Sequence, residues 1–256
     1  MIQFPAIAPG EPLSVSASLY TTFLRCPGQA LANVQGQYGP DSRASFSGML
    51  AHRIFARHLT TGSIDGEAFS TACREEIGQA MNMKLGSLQL RPSELRGVIA
   101  EVGELYQRFQ LVSTEGCVAV EHELEFAAGS GVVLRGRVDA VFDDARGLAL
   151  VDWKTGSLGA AQDQLDFYAL LWGLAKDELP AVVAAASVAS GERYEMVPSV
   201  ASITETAHKV AALVATLRDG FVDATSIPLS GGPGCRYCPR NEECEEGVAA
   251  LRVLSA

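Results

Sequence analysis

The sequence has few lysines, no long apolar run and no excess of positive charge. Only four of its 20 basic residues are lysines: Lys84, Lys154, Lys176 and Lys209. Any chemistry that requires a lysine therefore has few candidates. The net charge of −10 argues, taken alone, against a protein that binds polyanions. No apolar run approaches the roughly 18 residues of a membrane span, and the N-terminus lacks the basic and apolar segments of a secretory signal. We therefore expect a cytoplasmic protein without membrane contact.

The length and composition are those of a folded globular protein. The chain has 256 residues, of which 48% are apolar and 20% charged, and these values exclude a disordered or collagen-like chain. A chain of this length most often forms one domain. We predict a single domain over 1–256, with a mainly helical part at 14–115, a core at 116–222 and a cysteine-bearing tail at 223–256.

The periodicity of apolar residues changes from helical to alternating near the middle of the chain. Helical spacing predicts helices near 16–33, 45–60, 66–84 and 92–113. Alternation then predicts an antiparallel meander of strands at 117–126, 132–142 and 147–154. A helix at 160–176, strands at 181–188 and 192–197, and a helix at 201–220 follow. This order predicts an α/β fold with a mixed central sheet flanked by helices.

Charged side chains stand at the ends of two neighbouring predicted strands. Asp152 and Lys154 project from the same face at the end of an apolar strand, because successive side chains of a strand alternate in direction. Asp139 lies on the preceding strand, so the two carboxylates can approach each other if these strands pair through the short turn. Paired carboxylates suit a hard cation such as Mg²⁺ or Mn²⁺. The alternative for an isolated Asp-x-Lys is a surface salt bridge.

The cysteines fall into two groups. Cys73 and Cys117 lie in apolar segments and are expected to be buried free thiols. Cys235, Cys238 and Cys244 form a Cys-x2-Cys-x5-Cys cluster in a tail rich in glycine and proline. Such a tail needs a cross-link or a bound metal to be ordered. Disulfides are not expected in a reducing cytosol, which leaves zinc or an iron–sulfur cluster.

Four short motifs, taken in order, resemble a known family. Their sequences are Gly48-x-x-x-His52, Gly136-x-x-Asp139, Asp152-Trp153-Lys154-Thr155-Gly156 and Gln164-x-x-x-Tyr168. The set resembles the RecB-like branch of the PD-(D/E)XK nucleases. With Cys26 and the three C-terminal cysteines it resembles the members that carry an iron–sulfur cluster, such as the CRISPR-associated Cas exonucleases and the AddB nuclease domain. Val138 stands where the family name has proline, and Asp152 where other branches have glutamate.

The resemblance implies a restriction-endonuclease-like core and a metal-dependent active site. Asp139, Asp152, the backbone carbonyl of Trp153 and His52 would bind Mg²⁺ or Mn²⁺. A metal-bound water would then attack the phosphodiester. Lys154 would orient or deprotonate that water, or stabilise the transition state.

Two residues one helical turn apart complete the implied site. Gln164 and Tyr168 share a helix face. They either hold the active site and the DNA strand, or serve only to anchor the helix to the sheet. Glu121, Glu123 and Glu125 share a face of the first long strand that is expected to be solvated, with Glu123 the one able to reach the metal.

The resemblance further implies a [4Fe–4S] cluster that joins the two termini through Cys26, Cys235, Cys238 and Cys244; a structural Zn²⁺ is the alternative. The implied function is a DNA nuclease, an exonuclease on single strands or duplex ends. DNA is the implied partner, with recombination or CRISPR-adaptation proteins as further candidates. The alternatives are a non-catalytic iron–sulfur DNA-binding adaptor and a structure-specific endonuclease. Arginines near His52 and Asp139 provide local positive charge despite the acidic total.

Overall fold

The computed structural model describes residues 2–159 and 161–254. The helices are α1 (Ala17–Arg25), α2 (Pro27–Val34), α3 (Arg43–Thr61), α4 (Gly66–Ala80), α5 (Asn82–Leu88), α6 (Pro92–Phe109), α7 (Ala161–Lys176), α8 (Val200–Val222) and α9 (Glu245–Leu254). The strands are β1 (Leu13–Ser16), β2 (Cys117–Gly129), β3 (Val132–Asp144), β4 (Gly147–Lys154), β5 (Val182–Ser187) and β6 (Arg193–Met196). The predicted start of the seventh helix at residue 160 lies outside the described residues.

The strands form one mixed sheet in the order β1-β3-β4-β5-β6, with β2 also paired to β3. The meander β2-β3-β4 is antiparallel, whereas β4 and β5 are parallel. The long strand β3 pairs with β1 through residues 132–135 and with β4 through residues 140–144. The predicted α/β fold, a mixed sheet flanked by helices, is confirmed.

The sheet separates two apolar cores. On one side α1, α7 and α8 pack on it with Phe167 and Leu213, and Leu150 of β4 belongs to this core. On the other side α3, α4 and α6 pack on it, and Val151 and Trp153 belong to that core. Strand β4 is therefore buried on both faces, so a charged residue at its end lies in a poorly solvated position.

The structure differs from the sequence prediction at two helices and one strand. The helix predicted at 66–84 is interrupted at Met81, whose backbone (φ −123°, ψ 6°) leaves the helical region before α5 begins. The helix predicted at 92–113 ends at Phe109. The short strand β1 is missing from the prediction, because four residues give too few alternations to recognise. Ser16 caps α1, and its side chain accepts the N–H of Leu19 at 3.2 Å.

Among the described residues, no helix has both the length and the apolar character required to cross a bilayer. Helices α1, α3, α4, α6, α7 and α8 contribute buried apolar residues to the two cores. In the helical part, His58 is buried, and its Nδ1 lies 3.0 Å from the hydroxyl of Tyr106. The same hydroxyl accepts the N–H of Ile64 at 2.7 Å. His58 is thus a core residue.

Candidate active site

The site forms at the end of β4, where Asp152 and Lys154 leave the sheet. The side chain of Asp152 is 6% exposed and that of Lys154 is 24% exposed. Lys154 Nζ lies 2.6 Å from Asp152 Oδ2. The alternation of β4 predicts this neighbourhood, and burial distinguishes it from a surface salt bridge.

Gln164 on α7 holds both charged groups in place. Its Oε1 accepts a hydrogen bond from Lys154 Nζ, and its Nε2 donates to Asp152 Oδ1 at 2.8 Å. The same Nε2 lies 3.2 Å from the hydroxyl of Tyr168, one turn further along the helix. The Gln164–Tyr168 pair is therefore linked directly to the charged residues of β4.

Asp139 on β3 joins the site from the neighbouring strand. Its Oδ2 accepts the backbone N–H of Trp153 at 2.8 Å. Its Oδ1 lies 3.2 Å from Nδ1 of His52 on α3. The structure thus brings together four side chains from three elements, α3, β3 and β4: His52, Asp139, Asp152 and Lys154. Trp153 contributes its backbone here, while its ring packs edge-on against Phe109.

Burial and the nearby Asp139 raise the proton affinity of Asp152. Burial, followed by repulsion from Asp139, raises the pKa of Asp152 to about 6, although Lys154 acts in the opposite direction. For His52, burial alone would lower the pKa, but the hydrogen bond to Asp139 and the surrounding carboxylates raise it overall. Burial also raises the pKa of Tyr168. The site therefore concentrates negative charge where water solvates it poorly.

Two glycines of the sequence motifs permit close approach of the helices. A Cβ at Gly48 would lie 3.3 Å from Thr155 Oγ1, so glycine lets α3 approach the end of β4. A Cβ at Gly136 would lie 2.8 Å from Cδ2 of Leu171, so glycine lets α7 pack directly on β3. The first contact brings His52 to Asp139, and the second brings Gln164 to Asp152.

The donor atoms at this site suit a hard divalent cation. Asp152 Oδ2 is buried and accepts no hydrogen bond of acceptable geometry, despite its short distance to Lys154 Nζ. A buried carboxylate oxygen without such a bond is a favourable ligand for Mg²⁺ or Mn²⁺. In the part of the chain that the structure describes, however, no group of three or more His, Cys, Asp or Glu side chains is arranged to hold a metal as it stands.

Glu121 is a neighbour of the site that the sequence does not single out. The sequence predicts that Glu123 is the glutamate able to reach the metal. Instead Glu121, in a left-handed backbone conformation (φ 50°), is the one near Asp139 and His52. Its Oε2 lies 2.8 Å from Nε of Arg137. Burial raises the pKa of Glu121, Arg137 lowers it in opposition, and Asp139 raises it further. The alternation of polar and apolar residues along a strand does not reveal a single residue in a left-handed conformation, so the sequence does not point to Glu121.

The cysteine tail folds back onto the N-terminal helices. Cys26, Cys235, Cys238 and Cys244 line one cavity of about 30 Å³. Burial raises the pKa of Cys238, and the nearby thiols of the other three raise it further. Backbone N–H groups of Gly232 and Gly247 donate to two of the sulfurs, at 3.3 Å and 3.4 Å. The donor set fits a thiolate-held metal, although the thiols are not drawn together around one.

Comparison with known proteins identifies the family. A model of the PD-(D/E)XK nuclease superfamily matches residues 14–245. One subunit of an ATP-dependent helicase/nuclease of Anoxybacillus flavithermus (strain DSM 21510 / WK1) is 30% identical over 120 residues, which are 44% of this chain and 10% of that protein. The chain therefore spans about a tenth of the length of this relative.

A solved structure shows a similar fold at low sequence identity. A candidate exonuclease from Eubacterium rectale has a TM-score of 0.52 and 12% identity, covering 81% of this chain and 82% of its own. The protein SSO0001 has a TM-score of 0.40 and 15% identity, covering 93% of this chain and 88% of its own. The iron–sulfur branch stays a prediction. The superfamily match covers most of the sequence, and the chain belongs to the PD-(D/E)XK nuclease superfamily.

Proposed function

We propose that the protein is a divalent-metal-dependent nuclease that hydrolyses phosphodiester bonds of DNA. The observation that carries this proposal is the pair of a buried Asp152 and a part-buried Asp139, held beside Lys154, with one Asp152 oxygen free of well-formed hydrogen bonds. Two like charges in a buried place are costly unless a cation or proton neutralises them. DNA as the substrate is supported by the superfamily and by the helicase/nuclease named among the relatives.

The cation would be held by Asp139, Asp152, the backbone carbonyl of Trp153 and His52. When bound, a divalent cation supplies an acidified water and offsets the negative charge that develops on the phosphoryl oxygens. Asp139 is oriented for this role by the Trp153 N–H, and Asp152 by Gln164.

Lys154 would act as a hydrogen-bond donor. Its Nζ donates to Gln164 and lies close to Asp152, which fixes the ammonium at the edge of the site. A fixed donor of this kind can orient the attacking water or stabilise a non-bridging phosphoryl oxygen. Gln164 and Tyr168 would keep the ammonium in place, so their contribution is positioning.

We further propose that the enzyme is an exonuclease that acts on single strands or duplex ends. The test compares linear and circular single-stranded DNA, each with Mg²⁺ or Mn²⁺ and with EDTA. Metal-dependent loss of the linear strand alone is expected. Cleavage of the circle would favour the structure-specific endonuclease instead, and intact DNA in both metals would overturn the nuclease proposal.

A matched pair of variants on β3 tests the site itself. Asp139→Asn removes a carboxylate from the proposed cation site, and activity should fall to the level seen in EDTA. Asp143→Asn removes the same charge from the exposed end of the same strand, and activity should be retained. Equal cleavage by the two variants would contradict the assignment of Asp139 to the cation site, and DNA binding without cleavage by the wild type would support the non-catalytic adaptor.

We propose that Cys26, Cys235, Cys238 and Cys244 hold a [4Fe–4S] cluster, with structural Zn²⁺ as the alternative. The shared cavity and the N–H groups directed at two sulfurs support a thiolate-held metal. Iron, sulfide and zinc analysis of anaerobically purified protein separates the two. Iron with sulfide is expected. Zinc without iron would overturn the cluster assignment in favour of a structural zinc site. Removal of the metal that is present should destabilise the tail.

A further inference from the structure

Three grooves that share lining residues, together called the trough, adjoin one another beside the candidate active site. One groove of about 700 Å³ lies between α3 and α4 and is lined by residues including Arg53, Arg57 and Glu121. A second groove of about 490 Å³ shares Arg137 with the first and includes Arg135. Because Glu121 lies within electrostatic reach of Asp139 and His52, the point where the grooves meet borders the candidate active site.

A third groove extends the trough away from the arginines. It has a volume of about 390 Å³ and shares Ser16 with the second groove. Its walls carry neutral polar groups, including Ser18 and Asn33, and Tyr38 lies on its rim. The trough therefore changes from charged walls near the carboxylates to neutral, hydrogen-bonding walls further away.

The arginines of the trough are paired but accessible. Arg135 is 58% exposed and lies 3.1 Å from Glu125, and Arg137 is comparably exposed beside Glu121. Exposed ion pairs of this kind contribute little net stability. A phosphate can therefore replace the glutamate as the partner of either arginine, and such contacts would follow the nucleic-acid backbone.

Tyr38 presents an aromatic ring at the far end of the trough. Its surface is 72% exposed, although large apolar residues are usually covered. The backbone beside it packs closely against the C-terminal tail, because a Cβ at Gly39 would lie only 2.2 Å from the carbonyl oxygen of Tyr237. An exposed, well-positioned aromatic ring beside a polar groove is a platform on which a nucleic-acid base can stack.

We propose that the trough binds a single-stranded nucleic acid, with phosphates at Arg135 and Arg137 and an unpaired base stacked on Tyr38. A single strand is the occupant because bases within a duplex cover each other's faces and leave none for a side chain. This inference rests on the proposed nuclease function and specifies its substrate as a strand with exposed bases.

Fluorescence anisotropy tests the inference with a labelled oligothymidylate in EDTA, where no cleavage occurs. Tyr38→Ala should raise the Kd about fivefold or more, the loss expected of one stacked base, whereas Tyr38→Phe should change it less than about twofold. An abasic oligomer of the same length should bind Tyr38→Ala as it binds the wild type. Circular dichroism establishes that each variant is folded.

Matched arginine variants test the phosphate contacts. Arg135→Ala should weaken binding of both oligomers and reduce the slope of log Kd against log salt by about 0.7. Arg146→Ala removes an arginine that is 53% exposed and also ion-paired, by Asp144, but lies outside the trough. This control should leave the Kd unchanged.

Three outcomes would overturn the inference. Tyr38→Ala could bind oligothymidylate with wild-type affinity, or it could lose as much affinity for the abasic oligomer as for oligothymidylate. It could also lose as much affinity for a blunt duplex as for the single strand. A parallel cleavage assay of the wild type in Mn²⁺ keeps the two proposals separate. If the wild type cleaves DNA and Tyr38→Ala binds as tightly as the wild type, only the proposal for the trough is contradicted. If the wild type does not cleave DNA, the proposed nuclease function is contradicted.

Discussion

The carboxylate of Asp152 occupies a position that disfavours its own charge, so we expect it to reduce the stability of the fold. Burial and Asp139 raise its pKa from 3.8 to about 6. A rise of about two units corresponds to a loss on the order of 3 kcal/mol in the free energy of unfolding once the carboxyl is ionised. Solvent screening removes little of this, because the side chain is only 6% exposed.

The sign of the pH dependence follows from this raised pKa. Between pH 3.8 and about 6 the folded protein retains a proton that the unfolded chain has released. The contribution of Asp152 to stability therefore falls as pH rises through this interval, and the loss is complete above it. Asp152→Asn cannot ionise. The substitution should therefore increase the free energy of unfolding at neutral pH, although the loss of an ionic partner for Lys154 offsets part of the increase. The remaining increase corresponds to a rise in melting temperature of about 5 °C.

Thermal melts in EDTA measure this effect. Asp152→Asn should melt above the wild type at about pH 7.5 and close to it at about pH 4. Mg²⁺ should raise the melting temperature of the wild type and leave that of Asp152→Asn nearly unchanged, because the cation stabilises only a fold that binds it. The control Asp143→Asn should follow the wild type throughout. A variant that melts below the wild type at neutral pH would refute this reasoning.

Three further substitutions test the packing and hydrogen bonding around the site. Gln164→Ala should lower kcat by up to about 100-fold in a nuclease assay, because Lys154 and Asp152 lose their common partner. Gly136→Ala should cost about 1–3 kcal/mol in urea unfolding through overpacking against α7, whereas Gly78→Ala, in open space on α4, should be neutral or stabilising. Tyr106→Phe should lower the free energy of unfolding by about 1–3 kcal/mol, because the N–H of Ile64 loses its acceptor.

The sequence predicts the sheet and the charged residues well because both depend on regular alternation. Strand β3 alternates in polarity and β4 is a short apolar run, and their antiparallel pairing places Asp139 and Asp152 side by side. The same patterns separate the two apolar cores. The predicted helices lie near their observed positions, apart from their ends, which depend on individual backbone conformations such as that of Met81.

The partners that connect different elements could not be predicted from alternation. Gln164 could be placed on a helix face, but its simultaneous contacts with Lys154 and Asp152 depend on how closely α7 approaches β3. The proximity of Glu121 to Asp139 involves an unusual backbone conformation that the residue type does not indicate. The position of Tyr38 depends on the close approach of Gly39 to Tyr237, which lies in the C-terminal tail, far away in the sequence.

The central claim, that a carboxylate pair and one lysine form a metal-dependent nuclease site, is tested most directly by comparing lysine variants. Cleavage of linear single-stranded DNA in Mg²⁺ should fall by at least about 100-fold in Lys154→Ala. Lys209→Ala, which removes an exposed lysine paired with Glu205 on α8, should retain the wild-type rate. Equal rates in the wild type and in a folded Lys154→Ala variant would contradict the account.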